Sequence, residues 1–71
     1  MEAVFESNGA RNAALEACRD AGISCNADDG FLGLGAFTQG DEWGRRADID
    51  PDSGQHQKAL EIIKLTGGTI R

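Results

Sequence analysis

Asp48, Asp50 and Asp52 fall at alternate positions just before Ser53-Gly54. Carboxylates so spaced can converge on one hard cation, as in a calcium-binding loop. Counted from Asp48, however, such a loop needs glycine at the sixth position and a bidentate carboxylate at the twelfth. Gly54 comes one position late, and the twelfth residue is Ala59. The same acids suit a helix start: Asp50 as N-cap, Pro51 at the first helical position and Asp52 facing the positive end of the helix dipole. We expect no metal site and no cofactor.

Other chemistry-bearing groups lack companions. His56 is the only histidine, on or near an apolar helical stripe, without a nucleophile or metal partner to act with. The acid pairs Asp28-Asp29 and Asp41-Glu42 sit in turn-like sequence, where water keeps carboxylates ionised. Cys18 and Cys25 are seven residues apart, not at zinc-ribbon spacing, and Cys plus His total three where a structural zinc needs four ligands. Two reduced thiols are expected, and a disulfide across the helix-to-strand turn stays open if the Cα atoms come within about 6 Å. Gly30-Phe31-Leu32-Gly33-Leu34-Gly35 is glycine-rich, but it is not a dinucleotide fingerprint and does not run from strand into helix. We expect no enzyme.

The elements that would carry these groups follow from periodicity. Ala3 and Phe5 alternate with Glu2, Val4 and Glu6 over a short strand, 1–6. Ser7 or Asn8 caps a helix whose Ala14, Leu15, Cys18 and Ala21 share a face, away from Arg11, Glu16, Arg19 and Asp20. Gly22-Ile23 ends it as a glycine stop with its hydrophobic contact. Two strands are expected next, at 23–26 and 31–38, joined by a turn ending in Asp29-Gly30. In the second, Gly33 and Gly35 leave a bare strip between Phe31 and Phe37, over which a helix or a partner can lie. Residues 39–50 read as a long polar connection. The second helix runs from Pro51, with Ala59, Ile62 and Ile63 inward and Leu60 beside them. Thr66-Gly67-Gly68 stops it before a last short strand at 69–71. The order is strand, helix, strand, strand, helix, strand in one small α+β domain, 1–71. That is the ferredoxin-like split βαβ order, or a related antiparallel sheet with two helices on one face.

Charge is the most uneven property. The formal net charge of −5 lies wholly between Asp28 and Asp52, where seven acids meet only Arg45 and Arg46; elsewhere five acids balance five bases. Such a field steers positive partners and repels nucleic acid and anionic membrane. No apolar run approaches the roughly 20 residues of a membrane span. No basic region leading into an apolar run opens the sequence, so a cytoplasmic protein is expected. Trp43 reads either as a cap on one end of the core or as an interface anchor beside Arg45 and Arg46.

In size, net acidity and compact α+β pattern, the chain is similar to phage-encoded inhibitors of bacterial defence, including anti-CRISPR proteins and other DNA mimics. The resemblance implies a non-catalytic inhibitor, in the host cytoplasm, that occupies a basic nucleic-acid-binding surface of a partner protein such as a CRISPR effector or another nuclease. Carboxylates would stand where phosphates lie. The candidate partner-binding residues are Asp28, Asp29, Asp41, Glu42, Trp43 and Asp48. A monomer is expected, with no direct contact to nucleic acid or membrane. Two alternatives stay open: a small structural or regulatory adaptor that homodimerises through the glycine-rich strand, and a small-ligand or calcium sensor built on the sheet.

Overall fold

The computed structural model describes residues 1–27 and 44–71. Among them the element order is β1 (Glu2–Val4), α1 (Asn8–Asp20), β2 (Ser24–Ala27), β3 (Arg46–Asp50), α2 (His56–Leu65) and β4 (Thr69–Ile70). The four strands form one sheet in the order β2-β3-β1-β4, and every neighbouring pair is antiparallel. This is the split βαβ arrangement of the ferredoxin-like fold: β1 and β2 flank an inserted β3, and both helices lie on one side. Alternation sorts the sheet. Ala3, Phe5, Ala47 and Ile49 enter the core with Ala14, Leu15 and Cys18 of α1, Ile23, and Ala59, Ile62 and Ile63 of α2. Glu2, Val4, Arg46, Asp48 and Asp50 alternate with them onto the other face.

Both helices end in the same way. In α1, Ser7 caps the start by accepting from the Ala10 N–H at 3.0 Å. At the other end, the Ile23 N–H donates to the Cys18 carbonyl (2.8 Å) and the Gly22 N–H to that of Arg19 (3.0 Å). That is a Schellman stop, and it needs the left-handed backbone that Gly22 adopts at φ 77°. Helix α2 repeats it with Gly68 N–H on the Ile63 carbonyl (2.7 Å) and Gly67 N–H on that of Lys64 (3.2 Å). Gly68 is required for a different reason: a Cβ there would lie 2.5 Å from Phe5 Cε2 and 2.8 Å from Ile63 Cγ2.

Four expectations need correction. Arg46–Asp50 is a strand and not the end of a connection, because β1 and β2 pair with it on both sides and bury Ala47 and Ile49 completely. Asp50 therefore closes a strand and caps no helix. An extended residue before proline is sterically favoured, so Asp50-Pro51 marks a strand end. Helix α2 begins five residues later, after Gln55. The Gln55 side chain makes no cap but clips the turn, accepting from the Asp52 N–H (3.0 Å) and donating to the Gly22 carbonyl (3.3 Å). His56, expected on or near the apolar stripe, is exposed at the first position of α2 and takes no part in the core. Arg11, assigned to the outer face of α1, is only 6% exposed and donates to the Arg46 carbonyl at 3.2 Å. The expected strand at 31–38 and its turn lie outside the described residues.

Two outcomes test this frame. Gly68→Ala should cost about 1–3 kcal/mol by overpacking against Phe5 and Ile63, read from denaturant midpoints. Asp50→Ala should change stability by no more than about 0.5 kcal/mol, as an exposed strand position does. A loss near 1 kcal/mol at Asp50 would restore the capping role that the fold denies it.

Candidate partner-binding surface

Asp48 is the one candidate binding residue among those described; Asp28, Asp29, Asp41, Glu42 and Trp43 fall in the segment outside them. Asp48 projects from the middle of β3 onto the sheet face opposite the helices, exposed, as does Asp50 two residues on. In register, Asp48 faces Asn26 on one side and Glu2 on the other, and Asp50 faces Ser24. Two carboxylates thus stand directly across from each other on β1 and β3, which costs free energy unless cations are near. The Arg46 guanidinium supplies one by pairing with Glu2. The Met1 amine lies 3.8 Å from an Asp48 oxygen and donates to the Ile49 carbonyl at 2.7 Å.

The two bases of the acidic stretch are each tied to residues at or next to β1. Arg45 donates to the Phe5 carbonyl at 3.0 Å and exchanges a backbone bond with the same residue, Phe5 N–H to Arg45 carbonyl at 2.8 Å. Arg46 is half-buried and held by Glu2, while its own carbonyl accepts from Arg11. The Asn8 side chain closes the group by donating to the Gly44 carbonyl at 2.7 Å. These contacts fasten β3 to β1 and α1. They are scaffold contacts, whereas Asp48, Asp50 and Asp52 remain in water. Of the net −5, four charges belong to Asp28, Asp29, Asp41 and Glu42, which no base accompanies between residues 28 and 43.

Two further features come from packing. An open groove of about 500 Å³ runs between the helices, lined by Ala17, Asp20, Ala21, Lys58, Ile62 and Leu65. Its two charged groups are of opposite sign and neither is joined by a nucleophile. Cys18 and Cys25 are both free thiols. Burial pushes the Cys18 thiol above its ordinary range, and the neighbouring Cys25 thiol adds to that shift by charge and by a hydrogen bond. Among the described residues no three His, Cys, Asp or Glu side chains gather where a metal ion could sit. No helix among them is long and apolar enough to cross a membrane.

The arginines were singled out by sequence as partners of Trp43, and their role in fastening the scaffold was not. Alternation could have placed Arg46: with Asp48 and Asp50 it takes the outer face of a strand whose Ala47 and Ile49 point inward. Arg46→Met should destabilise the fold by about 1–3 kcal/mol, since Glu2 would then face Asp48 without its cation. Adding Glu2→Gln should recover part of that loss in a double-mutant cycle read by denaturation. Independent effects of the two changes would mean that the pair does not carry the coupling.

Comparison with family models, with curated protein sequences and with solved structures returned no match.

Proposed function

We propose that this chain is a non-catalytic acidic binding protein that occupies a basic, nucleic-acid-binding surface of a partner protein and inhibits it. The observation that carries the reading is the division of charge around β3. Arg45 is bonded to the Phe5 carbonyl and Arg46 to Glu2, while Asp48 and Asp50 stay exposed on the open sheet face. With both bases so engaged, β3 presents its two aspartates to solvent, Asp48 having the Met1 amine 3.8 Å away. A rigid strand spaces Asp48 and Asp50 two residues apart, roughly 6.5–7 Å along the chain. A basic channel that binds a track of phosphates attracts such a row of carboxylates. A CRISPR effector or another nuclease is the partner class that fits.

The test is displacement. A labelled DNA duplex bound to purified CRISPR effector complexes and other nucleases is titrated with this protein at several salt concentrations, and anisotropy is followed. One partner should release its DNA, with potency falling steeply as salt rises, because exposed charges are screened within about 8 Å at physiological ionic strength. A variant with Asp28, Asp29, Asp41 and Asp48 changed to Asn and Glu42 to Gln should fold normally, bind more slowly and fail to displace. Trp43→Ala should speed dissociation if its ring anchors the complex. A charge-stripped variant as potent as the parent at every salt concentration would overturn the reading.

A further inference from the structure

The Schellman stop of α1 has a chemical result. By tying the Ile23 N–H to the Cys18 carbonyl at 2.8 Å, it reverses the chain directly over the last turn of the helix. Ile23 then points into the core, Ser24 points out, and Cys25 returns to the core side, opposite Ile49 in register. Its sulfur lies 3.5 Å from the Leu15 carbonyl, one turn before Cys18. Both thiols are reduced, and Cys25 is close enough to Cys18 to perturb its thiol. A spacing of seven residues, uninformative in sequence, thus becomes two thiols, from two different elements, beside the last turn of α1.

The pair is asymmetric. Cys18 is fully buried, at 0% exposure, whereas Cys25 is partly exposed and sits on β2, an edge strand among the described residues. Of the two residues, Cys25 is the one that solution can touch. We infer that Cys18 and Cys25 form a reversible dithiol–disulfide site, oxidised by a low-molecular-weight disulfide that enters at Cys25.

The exchange balances in two steps. Cys25 releases its proton to solvent, and its sulfur attacks one sulfur of the small disulfide. A mixed disulfide forms on Cys25, and the other half departs as a thiolate. Cys18 then gives its proton to solvent, and its sulfur attacks the Cys25 sulfur. The second half of the reagent leaves, and the internal bond is closed. The protein loses two electrons and two protons, and the reagent is reduced to two thiols. The closed form fastens the end of α1 covalently to β2, where the open form has one thiol hydrogen bond.

The reduced full-length chain, incubated with oxidised glutathione and quenched with iodoacetamide, tests this by mass. The expected product carries no alkyl group and no glutathione and is lighter than the reduced chain by two hydrogens. Trypsin separates the cysteines into peptides 12–19 and 20–45, so those peptides should travel joined until dithiothreitol parts them. Cys18→Ser should retain glutathione on Cys25, and Cys25→Ser should take up none. A stable glutathione adduct on Cys25 of the unaltered protein would overturn the inference. So would two thiols that remain open to alkylation, or entry at Cys18.

Discussion

The middle of the sheet is built from small side chains. Ala3 of β1 stands directly opposite Ala47 of β3, and both are fully buried. Ala14 and Ala59 bring equally small groups from the two helices into the same core. A domain of this size buries only about 60% of the surface its unfolded chain exposes, so it cannot fill a thick interior. Alanines let the helix layer settle close to the sheet, and a few larger residues, chiefly Phe5, Ile49, Ile62 and Ile63, close the remaining space. Close packing of that kind tolerates no added methyl where backbone already touches a ring, as Gly68 does against Phe5. The two glycine stops, the arginine ties and the two thiols all operate at the margins of this thin layer.

A thin core leaves much of the cohesion to polar ties. Arg11, Arg45 and Arg46 each donate to a backbone carbonyl or carboxylate on another element, and together they fix β3 between β1 and α1. Charge-assisted hydrogen bonds are stronger than neutral ones, so three guanidiniums contribute appreciably where apolar area is scarce. Their position also decides the electrostatics outside. Arg46 lies on the open sheet face but is taken up by Glu2, and Asp48 and Asp50 stay exposed beside it. The same arrangement therefore serves stability and sets the surface field.

Helix α1 and the end of α2 were legible in sequence because their signals are local, whereas the start of α2, at Gln55 without a side-chain cap, was not. Ser7, Gly22-Ile23 and Gly67-Gly68 lie within a turn of the groups they satisfy. The end strands were legible from Ala3 and Phe5 and from Thr69-Ile70. Strand β3 was not. It offers two apolar residues among three charged ones, and it is a strand because β1 and β2, distant in sequence, pair on either side. The burial of Arg11 was hidden for the same reason, since its partner is a carbonyl of that strand. Of the candidate surface, the exposure of Asp48 follows from alternation once β3 is recognised, and the remaining candidates lie outside the described residues. Adjacency of the cysteines depends on how one turn reverses the chain, which spacing alone does not encode.

The strand order has a temporal consequence. Ala3 occupies a central strand, yet its two neighbours, Ala47 and Ile70, come far later in the sequence. The flank toward β3 cannot close before Arg46–Asp50 is made, and the flank toward β4 waits for Thr69–Ile70. Helix α1 can form early on its own caps, but its apolar face waits for a sheet that does not yet exist. Long-range pairing of this kind slows folding relative to a helical domain of equal length. A nascent chain therefore holds Phe5, Leu15 and Ile23 without Ala47 and Ile49 to pack on until β3 has been made. Until β4 arrives, one side of β1 remains an unpaired edge.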